Sequence, residues 1–165
     1  PCSVVLQALT WPGFAPTSTA LHPRTPPPVP DPQRAPRGII DTSVVIDLEQ
    51  LEAGQLPIEL AVSAITMAEL AAGPHATGDA AERARRQDRL QRAEAAFDPL
   101  PFDGEAARAY GRIYATEIAS GRKARGTRAL DLLIAGTACA ANLPVYTRNP
   151  EDFRGLQGLV DVIAV

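Results

Sequence analysis

The feature that most constrains the fold is an alternation, from Gly38 to the last residue, of short apolar runs with segments of helical pattern. The runs GIID, LAVSAI, LPVYT and LVDVIAV have the length and composition of buried strands. Between them lie segments typical of helices: TSVVIDLEQLEA, TMAELAA, GDAAERARRQDRLQRAEAAF, DGEAARAYGRIYATEIASG and LDLLIAGTACAAN. Strands that alternate with helices form a parallel sheet, so the sequence predicts an α/β layer fold.

The N-terminal segment has a different composition from the rest of the chain. Ten of the 16 prolines fall in residues 1–36, and residues 22–38 are HPRTPPPVPDPQRAPRG. Such a segment buries little apolar surface and favours extended, polyproline-like conformations. We therefore expect residues 1–37 to be a disordered extension and residues 38–165 to form one folded domain. Because the sequence starts with Pro1, we also expect that it is not a complete natural start.

Composition excludes several classes of protein. The 165 residues are 45% hydrophobic and 21% charged, which is typical of a globular domain. No apolar run approaches the roughly 20 residues of a membrane-spanning helix, and the early run VVLQAL lacks the basic flank of a signal peptide. Cys2 and Cys139 are too isolated for a disulfide framework. We expect a cytoplasmic protein with no membrane partner.

The net charge of −3 does not favour general nucleic-acid binding. A protein of this charge that acts on a polyanion needs a local basic patch and a cation. The segment GRKARGTR provides such a patch, with Arg122, Lys123, Arg125 and Arg128 and no acid between them. An ordinary solvated loop explains the same residues equally well.

Four acids stand close to the ends of predicted strands. Asp41 follows Ile39-Ile40 directly, Glu69 comes four residues after LAVSAI, and Asp152 lies just past LPVYT. Asp131 stands in the predicted first turn of the apolar helix that precedes LPVYT. The carboxyl ends of parallel strands share one edge of a sheet, where ligands bind. We therefore expect the four acids to lie near that edge.

Each acid taken singly also has a purely structural interpretation, and for a single acid that interpretation is favoured. These interpretations are Asp41 as a helix N-cap, Glu69 in a capping box with Thr66, Asp131 beside the helix dipole, and Asp152 as a first-turn acid after Asn149-Pro150. Asp131 fits this least well, because its neighbours at helical spacing are Ile134, Ala135 and Ala138. An acid on a buried face needs a partner or a metal ion.

Convergence of several acids has an electrostatic cost. Two carboxylates about 4 Å apart repel by roughly 4 kcal/mol at an effective dielectric constant near 20. The repulsion is relieved by a raised pKa or by a divalent cation with oxygen ligands. His22 and His75 are isolated from each other and from the cysteines. The sequence therefore predicts a hard cation, Mg²⁺ or Mn²⁺.

Four segments in order, IIDTSVVIDL, VSAITMAEL, LDLLIAGTA and YTRNPEDF, resemble the signatures of PIN-domain ribonucleases. More narrowly, they resemble the VapC-type toxins of bacterial toxin–antitoxin pairs. The resemblance covers residues 38–165 and implies a three-layer α/β/α fold with an acidic site at the carboxyl edge of the sheet. It implies that Asp41, Glu69 and Asp131 are catalytic and bind the metal, and that Asp152 is a fourth catalytic acid. Many relatives carry an aspartate two residues after the threonine that ends the strand, where this chain has Asn149.

The function implied by this resemblance is metal-dependent endoribonuclease activity in a toxin that has a cognate antitoxin and forms a homodimer. The candidate substrate-binding residues are Thr42, Ser43, Arg122, Arg128, Thr147 and Asn149. Two alternatives remain open. One is an inactive PIN-like domain that only binds RNA or a partner. The other is a phosphatase of the haloacid-dehalogenase type, which needs a second aspartate where Ser43 stands.

Overall fold

The computed structural model describes residues 34–123 and 125–165. Its strands are β1 (Arg37–Ile40), β2 (Glu59–Ala61), β3 (Val145–Thr147) and β4 (Val162–Ala164). Its helices are α1 (Thr42–Asp47), α2 (Ala64–Ala72), α3 (Ala80–Ala96), α4 (Gly104–Ala119) and α5 (Thr127–Ala141). Short 3-10 turns cover Leu48–Gln50, Ala53–Gln55, Gly73–Ala76 and Pro150–Phe153. Within the described ranges, no helix has both the length and the apolar character needed to cross a membrane.

The four strands form one parallel sheet in the order β2-β1-β3-β4. In the centre of the sheet, Ile39 of β1 is in register with Ala61 of β2 and Val145 of β3. All strands run in the same direction, so their carboxyl ends meet at one edge. The predicted α/β fold with a parallel sheet is confirmed.

Helices cover both faces of the sheet because side chains alternate along each strand. Ile39 and Val145 belong to the core cluster that contains α4 and α5, whereas Ile40 and Tyr146 belong to the cluster that contains α1 and α3. Ile39, Ile40 and Val145 are completely buried. The sheet thus separates two apolar cores, which confirms the predicted three-layer α/β/α arrangement.

Two helices begin earlier than the sequence pattern predicts, and both shifts concern a candidate acid. Helix α2 starts at Ala64, because Ser63 ends the extended segment and its Oγ accepts a hydrogen bond from the Thr66 amide at 3.0 Å. Helix α5 starts at Thr127, directly after Gly126, whose φ of 64° suits glycine. The predicted first helix is shorter than expected and ends at Asp47, followed by the 3-10 turns.

The proline-rich extension predicted for residues 1–37 falls mostly on residues 1–33, which lie outside the described residues. Its last four residues are described. The Arg34 guanidinium donates hydrogen bonds to the carbonyl oxygens of Leu56 and Pro57, at 2.8 and 3.2 Å, and Arg37 opens β1. Residues 34–37 therefore contact the folded domain, while disorder of the extension stays a prediction.

Candidate active site

Asp41 combines a structural role with a position at the carboxyl edge of the sheet. It follows β1 and is the N-cap of α1, and its Oδ1 accepts a hydrogen bond from the Val44 amide at 3.0 Å. Hydroxyl groups of Ser43 and Thr147 donate to its Oδ1 and Oδ2, each at 2.6 Å. The side chain is buried. The capping interpretation is therefore confirmed for Asp41, and the two hydroxyls fix both of its carboxylate oxygens.

Glu69 does not form the capping box suggested by the sequence. Helix α2 is capped by Ser63, so Glu69 lies in the second turn, away from the amide of Thr66. Its Oε2 instead accepts a hydrogen bond from the Thr42 hydroxyl at 2.5 Å, which joins α2 to the start of α1. Burial raises the pKa of Glu69 above its ordinary value; the hydrogen bond from Thr42 opposes this rise, and the charge of Asp41 adds to it.

Asp131 is the most strongly perturbed acid of the site. It lies in the second turn of α5, because the helix begins at Thr127, and the prediction that it occupies the first turn is wrong. Burial raises the pKa of Asp131 to about 7, with further contributions from the charges of Asp152, Glu69 and Asp41. The protonation of Asp131 is therefore coupled to the charges of the three other acids.

Asp152 comes from the turn that follows β3. This turn, Pro150–Phe153, has Pro150 at its start and Asp152 among its first acids, as the sequence suggests. Asn149 precedes the turn without forming a side-chain cap. Its backbone amide donates a hydrogen bond to the Thr147 hydroxyl oxygen at 2.9 Å. Asp152 is exposed, in contrast to Asp41. Asp152 is therefore the solvated acid of the set, in which Asp41 is buried and Glu69 and Asp131 are half-buried.

The hydroxyl groups predicted to bind substrate hold the acids in place. Thr42 donates to Glu69, while Ser43 and Thr147 donate to Asp41. The Ser43 Oγ also accepts a hydrogen bond from the Arg148 amide at 3.0 Å, which connects α1 to the end of β3. Their role in substrate binding stays a prediction, as does that of Asn149, which is exposed.

The two arginines predicted to bind substrate, Arg122 and Arg128, converge on Glu117, an acid that the sequence analysis missed. Glu117 lies on α4, and its exposed fraction is 0%. Burial acts to raise its pKa, but hydrogen bonds and charges from the two arginines outweigh that effect and hold the pKa below its ordinary value. Its position could have been found from the sequence, because Glu117 continues the apolar stripe of Ala106, Ala109 and Ile113 at helical spacing.

Other cations are exposed or line a cavity. Lys123 and Arg125 of the basic loop are exposed. A cavity of about 300 Å³ is lined by Thr42 and Glu69 together with Arg86 and Arg89 of α3.

The donor set suits a hard cation in its chemistry. It consists of carboxylate and hydroxyl oxygens. Burial, and to a smaller extent the charges of neighbouring acids, raises the pKa values of Glu69 and Asp131, and a cation would offset both effects. In the described part of the chain, however, no three His, Cys, Asp or Glu side chains are grouped so as to hold a metal ion. These acids are therefore not preformed for coordination in the arrangement seen in this structure.

Comparison with known proteins gives consistent matches over the described domain. The PIN domain family model matches residues 39–158. Ribonuclease VapC5 of Mycobacterium tuberculosis is 37% identical over 128 residues, which span 76% of this chain and 91% of that protein. Ribonuclease VapC of Rickettsia bellii is 32% identical over 126 residues, 73% of this chain and 91% of that protein.

Solved structures show the same relationship. The crystal structure of VapBC-5 from Mycobacterium tuberculosis, a member of the VapBC family of toxin-antitoxin systems, matches with a TM-score of 0.70 and 36% identity, over 79% of this chain and 99% of that one. FitAcB from Neisseria gonorrhoeae matches with a TM-score of 0.57 and 27% identity, over 76% of this chain and 95% of that one.

Proposed function

The chain belongs to the PIN-domain family, and on that premise we propose that it is the endoribonuclease toxin of a toxin–antitoxin pair, dependent on Mg²⁺ or Mn²⁺. Two of the matches support the ribonuclease activity and the toxin–antitoxin role, respectively. VapC5 is a ribonuclease by name, and VapBC-5 is a member of a family of toxin-antitoxin systems. The proposal includes a cognate antitoxin and a homodimer as partners.

The observation that carries the proposal is the electrostatic convergence of acids from separate elements. Asp131 of α5 has its pKa raised by burial and by the charges of Asp152, Glu69 and Asp41. Such repulsion lowers a free energy of unfolding that is already small, so it is not expected at a sheet edge without a function. A divalent cation bound by these carboxylates would relieve the repulsion, because its positive charge attracts each of them.

Asp41, Glu69 and Asp131 would hold the cation, with Asp152 beside them as a fourth acid. The bound cation supplies charge neutralisation at the phosphate and lowers the pKa of a water molecule. The hydroxyls of Ser43 and Thr147 orient Asp41, and the hydroxyl of Thr42 orients Glu69. In the reaction, the water would lose a proton as its oxygen bonds to phosphorus, and the bond from phosphorus to the 3′ oxygen would break. A proton returned through solvent would let that oxygen leave as a 3′ hydroxyl.

Cations of the loop and of α3 would bind the RNA backbone. Lys123 and Arg125 are exposed, and Arg89 lines the cavity beside Glu69. Phosphate contacts of this kind position RNA without reading its sequence. Asn149, exposed at the turn after β3, is a candidate for a contact that depends on the nucleotide.

The test is cleavage of total RNA by the purified chain with Mn²⁺ and with EDTA, with Asp131→Asn as the paired variant. We expect cleavage by the wild type with Mn²⁺ only, and none by the variant although it stays folded. Sequencing of the new 5′ ends then identifies the RNA and the motif. Cleavage that is equal with EDTA, or by the variant, would refute the assignment of these acids.

A non-catalytic PIN-like domain is the second candidate, and one observation favours it. The acids of the described residues are not grouped for coordination in this structure. The two functions differ in turnover. A binding domain retains RNA on a filter with no new 5′ ends at any Mn²⁺ concentration, whereas the ribonuclease generates them.

A further inference from the structure

Glu117 is a fully buried carboxylate that does not belong to the acidic site of Asp41, Glu69, Asp131 and Asp152. Its Oε1 accepts hydrogen bonds from Nε and Nη2 of Arg122, at 3.1 and 2.9 Å. Its Oε2 accepts from Nε and Nη2 of Arg128, at 2.8 and 2.5 Å. One acid thus binds two guanidinium groups, each through two N–H groups.

Arg128 extends this network to the turn that carries Asp152. Its Nη1 donates to the carbonyl oxygen of Asp152 at 2.6 Å, and its Nη2 donates to that of Arg154 at 3.1 Å. Arg128 itself lies in the first turn of α5, three residues before Asp131 and therefore on the same face of the helix. A single guanidinium therefore connects α4, the start of α5 and the turn after β3.

Arg122 packs against the backbone that follows this turn. Gly155 has a φ of 87°, and a Cβ at this position would overlap the Arg122 guanidinium. The φ value favours glycine, and a side chain at this position would displace the guanidinium. The backbone at Gly155 therefore packs directly on Arg122.

General stability is a weak explanation for this network. Burial of a carboxylate has a large desolvation cost, and a buried ion pair is often no more stabilising than apolar residues of similar volume. What the network does provide is directional contact with backbone carbonyls on a separate element, which apolar residues do not provide.

We propose that Glu117 is a positioning residue for the acidic site: it holds Arg128 so that the turn carrying Asp152 is aligned with the helix carrying Asp131. The inference rests on the proposed ribonuclease function for its kinetic consequence. It gives Arg122 and Arg128 a role different from the RNA contact suggested by their place in a basic loop.

The test compares Glu117→Gln with the wild type by steady-state RNA cleavage, normalised to the folded fraction, and by amide hydrogen exchange of the metal-free protein. The substituted side chain keeps its volume but loses the charge that binds two guanidinium groups. We expect kcat to fall by about 10- to 100-fold, as for a displacement of about 1 Å, with KM changed by less than about twofold. Exchange in residues 149–155 should become faster.

Two further variants sharpen the comparison. Glu105→Gln is the matched control, because Glu105 lies on the same helix and pairs with Arg108 but is exposed; it should behave as the wild type in both assays. Arg128→Lys keeps the positive charge but cannot reach Glu117 and both carbonyl oxygens together. It should reproduce the loss of kcat, and its combination with Glu117→Gln should be no worse than either change alone.

The results distinguish a positioning role of Glu117 from no role at the site and from direct contact of the arginines with RNA. An unchanged kcat per folded molecule with an unchanged exchange pattern would refute the inference. A changed KM and salt dependence with unchanged kcat would also refute it, since the arginines would then act on RNA. If Glu117→Gln does not fold, Arg128→Lys decides by the same criteria. If the wild type does not cleave RNA, the proposed function fails, and hydrogen exchange alone decides whether Glu117 aligns the turn.

Discussion

Asp131→Asn should make the metal-free protein more stable at pH 8. The acid has a pKa raised from its ordinary 3.8 to about 7, so the folded state holds this proton more tightly than the unfolded state does. Below about pH 4 the carboxyl is protonated in both states and contributes no difference. Between about pH 4 and pH 7 only the unfolded state loses the proton, so stability falls as pH rises, and the full cost is present above pH 7.

The size of the effect follows from this shift. About three pKa units at 1.36 kcal/mol each correspond to about 4 kcal/mol. Because Asp131 is only half-buried, we reduce this by about half for solvent screening, to about 2 kcal/mol. A change of that size corresponds to an increase in Tm of about 4–8 °C. Asparagine is nearly isosteric, so packing contributes little.

The assay is urea unfolding of both proteins with EDTA at pH 4.5 and pH 8, followed by thermal unfolding at pH 8 with Mn²⁺. The free energy of unfolding of the variant should exceed that of the wild type by about 2 kcal/mol at pH 8 and by much less at pH 4.5. Mn²⁺ should stabilise the wild type more than the variant, by mass action on the folded state. The matched control is Asp161→Asn, which makes the same change in an exposed residue before β4, at the opposite edge of the sheet.

Three outcomes would refute the reasoning. The variant could be no more stable than the wild type at pH 8, which would mean that ionised Asp131 does not carry the cost of burial and charge repulsion that we assign to it. Its gain could be equal at the two pH values, which would point to an uncharged cause. The control could gain as much as the variant, which would make the effect one of net charge rather than of this site.

Further predictions concern the hydroxyls, the loop and the extension. Thr42→Val should lower the free energy of unfolding in urea by about 1–2 kcal/mol. It should also raise the pKa of Glu69 further, as measured by NMR titration, because the Thr42 hydrogen bond that opposes the rise is lost; an unchanged pKa would contradict this. Changing Lys123 and Arg125 to Ala should weaken RNA binding for all sequences and flatten its salt dependence; an unchanged salt slope would make them ordinary surface charges. Deleting residues 1–33 should leave thermal unfolding and cleavage unchanged; a large loss of stability would show that the extension packs on the domain.

The layer architecture and the position of Asp41 could be predicted from the sequence. Four apolar runs separated by helical patterns leave few topologies open, and parallel strands bring their carboxyl ends together without further information. Asp41 follows directly from this, because it comes immediately after the first run. Local pattern and global fold agree at that residue.

Helix starts and long-range pairings were harder to predict. Ser63 stands inside the apolar run LAVSAI, so its role as the cap of α2 depends on where β2 ends, which pairing with β1 decides. The contacts of Arg122 and Arg128 with Glu117 depend on how α4 packs against α5. A basic run in the sequence does not show whether its charges face water, RNA or a buried acid.

The alternation along β1 has a consequence for how this site can vary in evolution. Ile39 points into one core, Ile40 into the other, and Asp41 follows at the edge. Inserting or deleting one residue in this strand would exchange the faces of both isoleucines and shift the acid along the sheet. Substitutions can therefore tune the site, whereas we expect length changes in β1 to disrupt the fold and the site together. We expect insertions and deletions among natural variants to fall in the loops at the amino edge instead.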